Sequence, residues 1–251
     1  GAWGTLTPRK AEEGKSRLPS YIPVYNRLFQ DLMDGVYEKD SLLPSENVLA
    51  AAYKVSRNTL RQALTILAQD GFIYKRQGKG TFVSYDCRRR EKKNLYNFLR
   101  ECAKEPVSRV TMDYNIGLPT NIAKQKLQLK NGEEVLASNN VYWGEEGPIG
   151  QSFLQIPMEL ITGSGIDGKE PDEEQLLHFM DSMIYQKAVK AHMTIQVVAA
   201  DEQVISYMNI PEGTVLLHME QILYGPDFSP AARIKYYFIP DKYQVDCQLQ
   251  A

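Results

Sequence analysis

From Ser56 to Gly71 the chain carries a pattern that admits one local structure. Leu60, Ala63, Leu64 and Leu67 recur on one arc at roughly 100° per residue, while Arg57, Asn58, Arg61 and Thr65 fall on the other side. Ser56 is a hydroxyl residue placed to cap the start, and Gly71 supplies a stop. The spacing predicts a helix from Ser56 to about Asp70, with one face that packs and one that offers guanidinium groups.

The flanks fix what that helix belongs to. Upstream, from Pro23, the residues Val24, Leu28, Phe29, Leu32, Met33 and Val36 recur at helical spacing, with Gly35 near the end. A turn from Glu38 to Leu43 and Pro44 leads to Ser45, a good N-cap. A short second helix follows, on which Val48, Leu49, Ala51 and Ala52 are the apolar positions, and Lys54-Val55 breaks it. Downstream, Phe72 to Arg76 and Thr81 to Tyr85 are short runs separated by Gln77-Gly78-Lys79-Gly80, which reads as a β-hairpin with a glycine-rich tip. Three helices and a hairpin make a winged helix-turn-helix over residues 21–85. Residues 1–20, polar and without apolar period, are expected to be a flexible arm.

Charge separates this part from the rest. The whole chain carries −2, yet from Lys54 to Lys93 eleven Lys or Arg face three Asp or Glu, which leaves −10 on the remainder. A basic block on an otherwise acidic chain is the footprint of a surface that attracts a polyanion. The densest stretch, Asp86 to Lys93, opens an expected linker over 86–106 that ends in a brief helix around Leu95, Phe98 and Leu99.

Beyond Pro106 the character becomes β-rich. Strands are expected at Arg109 to Asn115, Glu134 to Trp143, Ile149 to Ile156, Lys187 to Ala199, Val215 to Tyr224 and Ile234 to Ile239. Helices are expected near Asn121 to Leu127, Glu173 to Met183 and Glu202 to Met208. Strands joined largely by short turns, with few helices, favour an α+β domain with a mostly antiparallel sheet over 107–251.

Several function classes find no support in the sequence. His178, His192 and His218 are far apart, and no H-x-x-x-H pair, H-E-x-x-H, G-x-S-x-G elbow or Walker loop occurs. Cys87, Cys102 and Cys247 are an odd number without C-x-x-C spacing, so free thiols are expected, with no zinc site and no cofactor. The cluster Glu170, Asp172, Glu173 and Glu174 favours the positive end of the helix that follows. No apolar run approaches a membrane span, and Gly1-Ala2-Trp3-Gly4 lacks a signal-peptide pattern. A cytoplasmic location, away from membranes, is expected.

The DNA-contacting residues follow from the geometry of a helix that enters the major groove by its N-terminal end. Arg57 and Arg61, four apart, reach phosphates or the O6 and N7 of guanine. Ser56, Asn58 and Thr59 sit where backbone N–H groups and short polar side chains suit phosphate oxygens, although Ser56 also serves as a cap. Gly78 and Gly80 let the wing tip approach a groove, with Lys79 supplying charge.

Leu43-Pro44-Ser45-Glu46, the run Val55 to Leu64, Asp70-Gly71-Phe72-Ile73 and Gly78-Lys79-Gly80-Thr81-Phe82-Val83 together resemble the DNA-binding domain of the GntR family of bacterial regulators. The resemblance adds Ser45 to the contact set and implies a transcriptional regulator, expected to be a repressor. Asn47 stands where many members of that family have arginine, which points to an altered operator. The remainder resembles the UTRA effector domain of the HutC-type subfamily, whose fold is shared with chorismate lyase. The likeness lies in Gly147-Pro148-Ile149, Asn209-Ile210-Pro211-Glu212-Gly213 and Pro240-Asp241-Lys242-Tyr243.

That resemblance implies a small-molecule effector. Its candidate lining residues are Asn140, Tyr142, Ser152, Arg233 and Lys235. Members that sense phosphorylated sugars carry arginines on the strand where this chain has Asn139, Asn140 and Tyr142, so a sugar phosphate fits less well. The expected partners are double-stranded operator DNA, bound as a homodimer, and an effector of unknown identity. The competing readings are a chorismate lyase-like enzyme and an effector-independent DNA-binding dimer.

Overall fold

The computed structural model describes residues 19–85 and 95–247. The charged stretch from Asp86 to Lys93, Cys87 within it, and almost all of the expected N-terminal arm lie outside the described residues.

The first unit is three helices and a hairpin. Helix α1 (Tyr21–Met33) buries Val24, Leu28 and Leu32 along one stripe and ends where Gly35 takes a φ of 75°. It begins two residues before the expected Pro23, which sits in the first turn, where its missing N–H costs nothing. Val36 falls beyond the helix and is exposed. Helix α2 (Glu46–Tyr53) is capped by Ser45, whose Oγ accepts from the Val48 N–H at 3.3 Å, and closed by Lys54 in the left-handed region. It buries Leu49, Ala50 and Tyr53, whereas Val48, Ala51 and Ala52 face outward. In a run as uniformly apolar as Val48 to Ala52 periodicity selects no face, and contact with the next helix decides. Helix α3 (Arg57–Gln69) buries Leu60, Ala63, Leu64 and Leu67, the arc read from the sequence.

Strands β1 (Ile73–Arg76) and β2 (Gly80–Val83) pair antiparallel, with Arg76 opposite Gly80 across a turn of Gln77, Gly78 and Lys79. The segment before α2 anchors this wing: Leu43 N–H donates to Thr81 O at 2.8 Å, and Val83 N–H donates to Ser41 O at 3.0 Å.

The second unit is a six-stranded antiparallel sheet of order β3-β4-β5-β8-β7-β6. Its strands are β3 (Arg109–Gly117), β4 (Val135–Trp143), β5 (Pro148–Pro157), β6 (Lys190–Ala199), β7 (Val215–Tyr224) and β8 (Pro230–Phe238). All six match expected runs, though β8 begins four residues early because Pro230, Ala231 and Ala232, poor β-formers, are buried at the centre.

Residues directly opposite in register share a face. Asn140 faces Ser152, and Ser152 faces Tyr236, so these stand together with Leu136, Leu154 and Ile234. This face is covered by α4 (Phe98–Glu101) and by a continuous helical stretch. That stretch comprises α7 (Glu173–His178), a π-helical turn (Phe179–Met183) and α8 (Ile184–Lys187). Phe98, Leu99, Leu176, Phe179 and Ile184 fill the interface. Because Phe98, Leu99, Cys102 and Ala103 belong to this core, packing of the C-terminal unit begins inside the segment read as linker. The other face carries α5 (Asn121–Lys126) and α9 (Glu202–Met208), the latter burying Val204 and Met208 against Leu216. Helix α6 (Met158–Gly163), not foreseen, follows β5 directly and buries Ile161.

Candidate nucleic-acid interface and effector face

The capping residue Ser56 orients the exposed end of α3. Its Oγ accepts from the Thr59 N–H at 3.2 Å and donates to Thr59 Oγ1 at 2.9 Å, so both hydroxyls first serve the helix start. Arg57, Asn58 and Arg61 are exposed and Thr59 is half-buried. Arg57 makes no ion pair within 4.0 Å among the described residues. The Arg61 guanidinium donates through Nε and Nη2 to Glu46 Oε2 at 3.3 and 2.9 Å, with half its side chain still exposed. This hydrogen bond holds the Glu46 carboxyl below its usual pKa. The pair fixes Arg61 on the outer side of the helix without burying it.

Ser45, at the start of α2, and the wing tip complete the surface. Gly78 has a φ of 72° and open space around it, whereas a side chain on Gly80 (φ 112°) would meet Leu42 at 2.8 Å. Glycine at 80 is therefore a demand of packing as well as of the turn. Lys79 bonds Glu145 in the turn between β4 and β5, and Arg76 pairs with the same carboxylate. The sequence reading missed this contact because Glu145 lies 66 residues away. It likewise missed the role of Glu46, although that residue stood in the Pro-Ser-Glu run.

The five expected effector residues do not converge. Asn140, Tyr142 and Ser152 share the helix-covered face, whereas Arg233 and Lys235 project from the opposite one, on either side of Ile234. Strand parity is the reason: Ser152 pairs with Tyr236, so its odd-numbered neighbours must point away. Arg233 is spent on structure, donating to Glu220 Oε2 at 3.1 and 3.0 Å and to Gln155 Oε1 at 2.9 Å, while Lys126 bonds the other oxygen of Glu220. Burial lowers the pKa of Lys235, whose ammonium lies over the Phe153 ring.

Tyr142 is wholly buried and hydrogen-bonded. It donates to Asp181 Oδ1 at 2.7 Å and accepts from Asn97 Nδ2 at 2.8 Å, and burial raises its pKa well above the usual value. Beside it a relay runs from Tyr185 OH to Tyr236 OH at 2.5 Å and on to Gln221 Oε1 at 2.9 Å. Asn140 accepts from Ser138 at 2.6 Å, yet its Nδ2 and the Ser152 Oγ are buried without any partner among the described residues. No signal of period or composition marks such orphaned groups.

The histidines serve locally. His218 Nδ1 lies 2.9 Å from Tyr236 O, and burial lowers its pKa. His178 and His192 are exposed. Asp172 caps α7 by accepting from the Gln175 N–H at 2.9 Å, in keeping with the reading of its acidic cluster. Among the described residues no three His, Cys, Asp or Glu side chains gather as a metal set, and no helix is long and apolar enough to cross a membrane.

Residues 21–83 match the family of bacterial regulatory proteins called gntR. The "uncharacterized HTH-type transcriptional regulator YurK" of Bacillus subtilis is 27% identical over 220 residues, covering 86% of this chain and 89% of that protein. The "probable fructoselysine utilization operon transcriptional repressor" of Escherichia coli is 46% identical over 63 residues, covering 25% of this chain and 26% of that protein. Among solved structures PhnF from Mycobacterium smegmatis superposes with a TM-score of 0.52 at 15% identity, over 91% of this chain and 99% of that one, a likeness of fold. The two curated relatives are named as transcriptional regulators rather than enzymes. Residues 21–83 are a gntR-family DNA-binding domain, and the chain is a DNA-binding transcriptional regulator.

Proposed function

With a gntR-family domain at its head, we propose that this chain is an operator-binding repressor controlled by a small effector held in its C-terminal, UTRA-like domain. The carrying observation is the α3 N-terminus, where Arg57 and Arg61 stand exposed one turn apart beside the glycine-tipped wing. Such a helix reads the major groove with its first turns while the wing reaches the flanking backbone. The contact set is Ser45, Ser56, Arg57, Asn58, Thr59 and Arg61, joined by Gly78, Lys79 and Gly80 of the wing.

Useful operator affinity calls for two heads one turn of DNA apart. Strand β6 supports a homodimer. It is an edge strand with unpaired backbone groups, and Met193, Ile195 and Val197 on one of its faces are 36%, 52% and 73% exposed. An exposed apolar edge is a template for pairing with another chain, and antiparallel pairing of β6 with a second β6 is self-complementary about a twofold axis. The contact of Glu145 with Lys79 and Arg76 offers a path by which the C-terminal unit biases the wing. An effector that binds one arrangement better shifts the heads toward or away from operator spacing.

The test is a mobility-shift titration of the full chain against duplexes selected from a random library. A palindromic consensus bound by a dimer, with affinity changed by a metabolite from a broad panel, is the expected result. Binding by a monomer, or affinity unmoved across the panel, defeats the dimer or the effector reading respectively.

A further inference from the structure

We infer that the polar seam beneath the π-helical turn takes an uncharged, hydroxyl-rich ligand of the sugar or polyol class, and that phosphorylated forms are excluded from it. This rests on the effector reading above and deepens it, from the hydrogen-bonding capacity the seam leaves unused.

The seam crosses three adjacent strands. Asn140 of β4, Ser152 of β5 and Tyr236 of β8 are consecutive cross-strand neighbours on the helix-covered face. Asn140 and Ser152 are 0% and 2% exposed. The Oδ1 of Asn140 is taken by Ser138, so its Nδ2 is left with donors only, while the orphaned Ser152 Oγ can donate or accept. Buried polar groups are nearly always paired, and two orphans on directly opposed residues mark one place where partners are missing. What they lack is acceptor oxygen beside a group able to exchange a hydrogen bond, which is the pattern of neighbouring hydroxyls. Tyr142 and Tyr236 flank the pair with aromatic rings, and such rings suit the C–H faces of a sugar.

Charge selects against the alternatives. The cations carried by the elements over this face are Arg100 of α4 and Lys187 of α8. Arg100 is bound to Asp181, and Lys187 lies at 3.4 Å from Ser164 Oγ, above the Phe179 ring. The side chains of Arg233 and Lys235 are on the other face of the sheet. A phosphate dianion would enter without a counter-charge, at the desolvation cost of an unpaired buried ion. An amine would need a carboxylate, and Asp181 is already held by Arg100, Tyr142 and Asn97. The acids Glu173, Glu174 and the exposed His178 of α7 lie toward solvent. The seam is closed here, and the covering element that departs from α geometry, as helices often do at functional sites, is Phe179–Met183.

The test measures thermal unfolding of the full chain, wild type and Ser152→Ala, alone and with D-glucose, sorbitol, myo-inositol, glucose-6-phosphate or inorganic phosphate at millimolar concentration. Without ligand, Ser152→Ala is expected to melt about 2–4 °C higher, because it removes an unsatisfied buried hydroxyl. With ligand, a neutral polyol raises the wild-type Tm and leaves the variant unmoved. Asn140→Leu, checked for operator binding to show that it is folded, loses the response likewise. Stabilisation by glucose-6-phosphate or phosphate that vanishes in these variants overturns the ligand class while sustaining the effector reading. Shifts equal in wild type and variants, a lower Tm for unliganded Ser152→Ala, or no shift with any neutral compound overturn the seam itself.

Discussion

Replacing Arg57 and Arg61 by alanine, singly and together, probes the DNA-reading surface most directly. Helix rise places the two residues about 6 Å apart along the axis, close to two base steps of about 3.4 Å each. On the proposed contact set they would address neighbouring steps of one half-site. Arg57 makes no ion pair among the described residues, so on the proposed contact set its removal would forfeit a whole contact. A guanine-reading arginine is expected to lose roughly 5- to 150-fold in affinity per half-site and to relax preference at one position. A phosphate-binding one instead lowers the salt slope by about one and leaves sequence preference intact. Arg61 must exchange Glu46 for DNA, and this predicts a coupling. Glu46→Gln tightens operator binding when Arg61 is present and has little effect in Arg61→Ala, because among the described residues the carboxylate then has only Lys75, at 4.0 Å, to hold. Anisotropy titrations across a range of salt, with a duplex recovered by selection, read all five variants. Affinity of the double alanine variant within twofold of wild type, or a Glu46→Gln effect indifferent to Arg61, refutes the reasoning.

Other perturbations test the parts around that surface. Glu145→Gln should strengthen duplex binding at low salt, since it releases Arg76 and Lys79 from a carboxylate that competes with phosphate; unchanged or weaker binding would show that the contact plays no part. Leu64→Ala, at a fully buried position of α3, should cost about 2–5 kcal/mol in urea unfolding of the N-terminal unit, and a loss under 1 kcal/mol would contradict the close packing described. For Glu220, burial pushes the carboxyl up, but Lys126 and Arg233 outweigh it and the folded pKa is lowered. Its contribution to stability is then complete above the ordinary glutamate pKa of about 4.3 and lost as pH falls through the depressed folded value. Glu220→Gln should leave Arg233 short of its partner, at about 3–5 kcal/mol near neutral pH. The gap from wild type should shrink on acidification, as followed by denaturation at several pH values.

Much of this protein was legible along the chain. Caps at Ser45 and Ser56, the acidic start of α7, the helical arc of α3 and the glycine-tipped hairpin are local, because each depends on residues within one or two turns. The six strands were likewise found from composition and alternation. Local signals failed where they were degenerate, as on the uniformly apolar α2, or where the helix departs from α geometry at Phe179–Met183.

What a strand's own sequence settles is parity: Asn140 and Tyr142 must share a face, and so must Arg233 and Lys235. Whether those two pairs meet depends on register, and only the pairing of Ser152 with Tyr236 placed them on opposite sides of the sheet. The grip of Glu145 on the wing and the orphaned donors between β4 and β5 are of the same kind. They arise from distant segments brought side by side, for which a one-dimensional pattern has no period to display.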